Sequence, residues 1–202
     1  MLERIRDLPG TSLDRKAYHA QMRTETEHIS GIAWKLERSQ FFTEAADDPA
    51  WQAFSSGDWD KSLAVFESER ADLRAEAAKY ERQASQFRRL RIVEHPASAY
   101  LQWEMQSLRI IDESGMPIRV LPSGKVRDLE HDQPLPEVVI VGGQALFEIR
   151  YDEQWTACGA RCIEDRDVIR QAAMEMTRLW ADAEPLAVYF DREIAPLPPP
   201  VA

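Results

Sequence analysis

Arginine, glutamate and aromatic side chains gather in one stretch of this chain, Phe87-Arg-Arg-Leu-Arg-Ile-Val-Glu-His-Pro-Ala-Ser-Ala-Tyr-Leu-Gln-Trp-Glu104. A guanidinium matches the oxygens of a carboxylate or phosphate bidentately, so Arg89 and Arg91 are candidates to clamp an anion. Glu94 and Glu104 are the candidate general bases, because a carboxyl in a dry crevice has a raised pKa. Tyr100 and Trp103 lie beside them. The candidate ligand-binding set is Arg89, Arg91, Glu94, Tyr100, Trp103 and Glu104. No catalytic residue is assigned. The plain alternative is that arginines beside glutamates form ion pairs with no site between them.

The elements that must position this set are a strand and the helix after it. Leu90 and Ile92 alternate with Arg89 and Arg91, the period of a strand with one apolar face. Alternation puts both arginines on the face opposite Leu90 and Ile92. Pro96 ends the strand and biases His95 away from helix. Ala97 or Ser98 then opens a helix whose stripe is Leu101, Met105 and Leu108. A strand that runs into a helix presents its C-terminal end, where open α/β sheets bind ligands. If both faces of the sheet are covered, the arginines need carboxylate partners, and Glu94 and Glu104 are the nearest in sequence. Arg91 is closer to that end, so it is expected to be the functional arginine and Arg89 the structural one.

The rest of the chain supplies a frame. A weak helical pattern spans Leu13 to His28 and breaks at Ser30-Gly31. Ile32, Trp34 and Leu36 mark a strand. Pro49 sits early in a short helix carrying Trp51 and Phe54. Asp58 caps what reads as the longest helix, running to about Ala84. Ile118, Val120 and Leu121 form a strand that follows the Phe87–Ile111 unit by a right-handed parallel crossover. Pro122 to Pro136 is a polar loop placed to cover a site. Val138–Val141, Gly142-Gly143 and Ala145–Tyr151 read as a hairpin. Trp155 to Ile163 is a further strand, and Asp165 caps a helix through Trp180. The fold expected is α/β (α+β), a mixed sheet of about five or six strands flanked by long helices. Residues 1–30 read as an N-terminal helical segment, 31–195 as a single α/β domain and 196–202 as a proline-rich tail.

Composition narrows the classes of function. The 202 residues carry a net charge of −10 and a sequence pI near 5.0. Wrapping a phosphate backbone needs a clustered positive surface, so direct contact with nucleic acid is not expected. Adsorption to an anionic membrane is disfavoured in the same way. The start, Met1-Leu-Glu-Arg-Ile-Arg-Asp7, lacks the apolar segment of a signal peptide, and no stretch is apolar enough to span a membrane. Cys158 and Cys162 then read as reduced thiols, and the location as cytoplasmic.

Other chemistry finds less support. Structural zinc wants four ligands, and Cys158 and Cys162 have no second pair. Gly142-Gly143 lacks the spacing of a dinucleotide fingerprint, and there is no glycine-framed serine elbow or phosphate loop. Asp128, Glu130, His131 and Asp132 form an acidic cluster that reads as a solvated loop. No metal and no cofactor is expected.

Several segments together carry a family resemblance. They are Trp34-Lys-Leu-Glu37, Arg89-Leu-Arg-Ile-Val-Glu-His-Pro96, Tyr100-Leu-Gln-Trp-Glu104, Ile118-Arg-Val-Leu121 and Leu179-Trp-Ala-Asp-Ala-Glu-Pro185. As a set they resemble an actinobacterial family of unknown function whose members are often encoded beside helix-turn-helix regulators. The element order is also similar to half of a phospholipase-D-like domain. That superfamily's enzymes need His, one spacer and Lys. Here His19, His28, His95 and His131 are followed two residues later by Gln21, Ser30, Ala97 and Gln133. The similarity is therefore to a degenerate, non-catalytic domain. The resemblance implies an accessory or sensor protein that binds a regulatory partner, such as a helix-turn-helix regulator, or a small anionic ligand. The alternative is an enzyme acting on a phosphate- or carboxylate-bearing small molecule with a glutamate general base.

Overall fold

A computed structural model describes residues 1–200. One eight-stranded mixed sheet runs through the molecule in the order β1-β7-β6-β5-β2-β3-β4-β8. Its strands are β1 (Thr11–Asp14), β2 (Gly31–Glu37), β3 (Ser85–Val93), β4 (Ile118–Pro122), β5 (Val138–Val141), β6 (Ala145–Tyr151), β7 (Ala157–Ile163) and β8 (Glu184–Pro185). The central β2, β3 and β4 are parallel, and every other pairing is antiparallel. The helices are α1 (Arg15–Glu27), α2 (Pro49–Ser55), α3 (Trp59–Ser68), α4 (Arg70–Arg82), α5 (Ala99–Glu113), α6 (Arg166–Asp182) and α7 (Leu186–Tyr189).

Five of the seven helices start at a side-chain cap. Asp14, Asp48, Asp58, Ser98 and Asp165 each accept a backbone N–H of the first turn through the side chain. These N–H groups have no partner within the helix, so such a cap is worth about 1 kcal/mol. Pro49 takes the first helical position, where its missing N–H costs nothing.

Both faces of the sheet are covered. Trp34, Leu36, Leu90 and Ile92 lie in a core with Ile169, Ala172 and Met176 of α6. Period-two alternation sends Ala33, Lys35, Glu37, Arg89 and Arg91 to the opposite face. There α1 packs over the antiparallel half through Tyr18 and Met22, and α5 packs over the parallel half through Leu101, Met105 and Leu108. Between these two helices the sheet is open to a cavity.

The sheet has eight strands where five or six are expected. All six expected strands form, as β2 to β7. The two additional ones are the short edges β1 and β8, of four and two residues. Stretches that short carry no readable alternation. The segment before residue 31 packs into the same core and sheet. Leu2 and Ile5 are fully buried in the main core, and β1 pairs with β7. The single helix expected from Asp58 is two helices. Ser68 Oγ donates to the Val65 carbonyl and the Glu69 N–H bonds to Phe66, tightening the turn so that α3 ends there. The Pro122–Pro136 loop is tied down by buried Val126 and Leu135. Glu130, in the acidic stretch of that loop, is spent on Arg38, which donates to it twice, at 2.6 and 3.0 Å.

Candidate functional site

The cavity between α1 and α5 has a volume of about 480 Å³, within the range of small-molecule sites. Its floor is built by β2 and β3. Their parallel register sets Lys35 beside Arg89 and Glu37 beside Arg91. Its walls come from Phe42, Glu44 and Asp48 on the loop after β2, from Tyr100, Trp103 and Glu104 on α5, and from Tyr151 and Trp155 at the β6–β7 turn.

The floor is a buried charge network. Lys35 Nζ lies 2.6 Å from Glu37 Oε1, and an Arg89 nitrogen lies 3.4 Å from Glu37 Oε2. Burial opposes the charge on Glu37, yet Arg89, Lys35 and Arg91 outweigh it and hold its carboxyl down to about 2. Arg91 is fully buried and donates twice to Glu104 Oε2, at 3.1 and 2.8 Å, and once to the Ile92 carbonyl at 3.0 Å. Burial works against the charge of Arg91, and Glu104 and Glu37 more than offset it, so its pKa lies above the usual value. Burial raises the carboxyl of Glu104 despite Arg91, and Glu37 adds to the rise. Three cations (Lys35, Arg89, Arg91) therefore face two carboxylates (Glu37, Glu104), which leaves one formal positive charge on the floor.

The walls have the opposite sign. The Tyr100 hydroxyl donates to Glu44, and burial together with Glu104 and Glu44 keeps that phenol protonated. Burial pushes the Glu44 carboxyl up even though it accepts this bond, and Asp48 and Glu37 push it further. Glu69, also on the cavity, is raised by burial, Asp48 and Asp72. The aromatic walls stack on one another: Phe42 lies 5.7 Å from Tyr151, which lies 5.7 Å from Trp155. Trp155 is 53% exposed and holds a φ of 60°. A left-handed backbone at so bulky a residue is strained. It is held by hydrogen bonds from its own N–H to Asp152 and from the Thr43 N–H to its carbonyl.

Of the six residues expected from the sequence, Arg89, Tyr100, Trp103 and Glu104 line this cavity. Glu94 does not. It is exposed, ion-paired with Arg38 at 2.7 Å, and faces a neighbouring cavity of about 570 Å³. The strand ends at Val93, one residue before Glu94, and the Glu94 backbone N–H donates to Gln40 Oε1. Trp103 is a core residue: its Nε1 donates to Ser62 Oγ at 2.8 Å and its ring stacks on Phe54. Arg91, the arginine expected to be functional, is the more buried and the more fully bonded of the two. Arg91 is saturated by Glu104 and backbone, whereas Arg89 holds Glu37 by one long contact and its buried Nε has no partner. The strand end that was to favour Arg91 is capped by α5, which brings Glu104 down on it.

Sequence reasoning missed Lys35, Glu37, Glu44, Phe42, Tyr151 and Trp155. A signal existed for two of them. Lys35 and Glu37 alternate with Trp34 and Leu36 as Arg89 and Arg91 do with Leu90 and Ile92. The register that joins the two strands has no mark in the chain.

This chain belongs to a family described as a domain of unknown function, DUF6879, whose model matches residues 20–191. No curated protein matches the chain. Among solved structures it is similar to TrmBL2, an archaeal chromatin protein described as showing a novel mode of DNA binding. Identity is 13%, the TM-score is 0.46, and the match covers 87% of this chain and 52% of that one. The chain thus spans about half the length of that protein. The expectation of no direct contact with nucleic acid conflicts with this likeness to a protein described as binding DNA, and it is withdrawn. Net charge sums the whole surface, whereas a phosphate contact is decided by a local patch. At this level the likeness carries nothing about what this chain itself binds. No helix among the described residues is long and apolar enough to cross a membrane.

Proposed function

We propose that this domain is a non-catalytic cytoplasmic sensor or accessory module that binds a small anionic ligand in the cavity over β2 and β3. The observation that carries the reading is the floor, where three cations meet two carboxylates and Arg89 Nε has no hydrogen-bond partner. An acid group on Lys35 and Arg89 would balance the remaining charge. Supporting it, Arg91 and Glu104 occupy each other, so the carboxyl best placed as a general base already accepts two bonds. The resemblance to regulator-linked actinobacterial proteins agrees with a sensing role, and the missing His-x-Lys motif agrees with a degenerate rather than active phospholipase-D-like ancestry. A ligand that binds only the folded state raises its melting temperature by mass action. Thermal unfolding in acetate, succinate or phosphate, against chloride at equal ionic strength, tests the reading. A rise in wild type that is lost in Arg89→Met supports it, and an equal rise in both proteins overturns it.

A further inference from the structure

The cavity's opposite wall is chemically unlike its floor. Glu44, Asp48 and Glu69 line it with no ion pair to a base among the described residues, although Arg15 and Lys35 share the cavity, and Glu44 and Glu69 are both crowded by acidic neighbours. A row of aromatic rings, Phe42, Tyr151 and Trp155, lines the same space, and Phe42 already carries the Arg91 guanidinium 5.8 Å from its ring centre. An aromatic face attracts a cation through its quadrupole, most strongly where water is excluded. Glu37, whose side chain is 7% exposed, also lines the cavity, and its Oε2 accepts no hydrogen bond. The strained backbone of Trp155 is the kind of local cost that persists at ligand clamps.

We propose that the ligand is zwitterionic, with its acid group on Lys35 and Arg89 and an alkylammonium group against Phe42, Tyr151 and Trp155, facing Glu44 and Asp48. This rests on the anion reading above and adds a second pole to it. A simple anion would satisfy the floor and leave the wall carboxylates without a counter-charge. A simple cation would do the reverse. A molecule bearing both charges matches both surfaces.

Isothermal titration with three probes separates the two claims. Glycine betaine carries both groups, tert-butylacetate has the same shape without the positive charge, and choline lacks the acid. Glycine betaine is expected to bind at least about tenfold tighter than either, the ratio a desolvated cation–π contact supplies. Trp155→Ala and Glu44→Gln should each weaken glycine betaine several-fold and leave tert-butylacetate unchanged. Arg89→Met should weaken glycine betaine and tert-butylacetate and leave choline unchanged. If tert-butylacetate binds wild type as tightly as glycine betaine, the zwitterion proposal fails and the anion floor stands. Choline binding as tightly as glycine betaine overturns the floor and with it the zwitterion. No heat from any probe at concentrations that would fill a millimolar site overturns both.

Discussion

The guanidinium of Arg91 and the carboxylate of Glu104 meet at 2.8 Å beneath the cavity, with Arg91 entirely out of water. Each spends the other, which is why the cavity is left to Arg89 and Lys35. Removing one partner of such a pair strands the other as a buried charge. Arg91→Met should therefore lower stability by about 3–5 kcal/mol. The double change Arg91→Met with Glu104→Leu should recover most of it. Chemical denaturation of the four proteins checks this, and a double variant no more stable than the single one would contradict it.

Trp103 is an anchor of the helical layer, and its indole N–H depends on one hydroxyl. Ser62 Oγ accepts from Trp103 and donates to the Ala50 carbonyl at 2.8 Å. Ser62→Ala leaves the buried Trp103 indole N–H without its partner, at a cost of about 1–3 kcal/mol. Ligand binding should be unchanged once stability is allowed for. Loss of binding in a folded Ser62→Ala protein would place Trp103 in recognition instead.

Glu137 makes stability depend on pH. Burial raises its carboxyl from 4.5 to about 7, although the Arg38 and Ser39 backbone N–H groups donate to it at 2.8 and 2.6 Å. An acid with a raised folded pKa binds more protons folded than unfolded, so its contribution falls as pH rises from 4.5 to 7 and is level above that. The loss is on the order of 3 kcal/mol, since one pKa unit is worth about 1.4. Urea unfolding across this window should show a steeper decline in wild type than in Glu137→Gln. Parallel profiles would mean that the carboxyl titrates normally.

Trp155 combines strain with exposure, so its stability and binding effects should have opposite signs. Glycine adopts a φ of 60° without penalty. Trp155→Gly should gain roughly 1 kcal/mol from the relieved backbone, less the contact with Tyr151. Glycine betaine binding should weaken at the same time. A variant that loses stability and keeps binding would make Trp155 a structural residue.

The legible part of this fold follows local periodicity. Leu90 and Ile92 against Arg89 and Arg91, Gly142-Gly143 between apolar runs, and Asp58, Ser98 and Asp165 before helices all announce their elements. The illegible part is relational. Nothing near Lys35 says that it will stand beside Arg89, because a parallel register is set by packing across the sheet. Glu94 is next to the strand in sequence and outside the cavity in space, whereas Glu44 and Trp155 are distant in sequence and inside it. Which of Arg89 and Arg91 meets a carboxylate of α5 is likewise a tertiary fact.

The central claim is that the Lys35–Arg89 floor receives an acid group, and anomalous diffraction from crystals soaked in selenate addresses it directly. Selenate carries the charge and oxygens of a ligand acid and scatters strongly enough to be placed without ambiguity. A selenium peak within hydrogen-bond reach of both Lys35 Nζ and the Arg89 guanidinium, absent from Arg89→Met crystals, is the predicted result. Selenate found only on exposed arginines elsewhere, with the floor empty in wild type, would contradict the account.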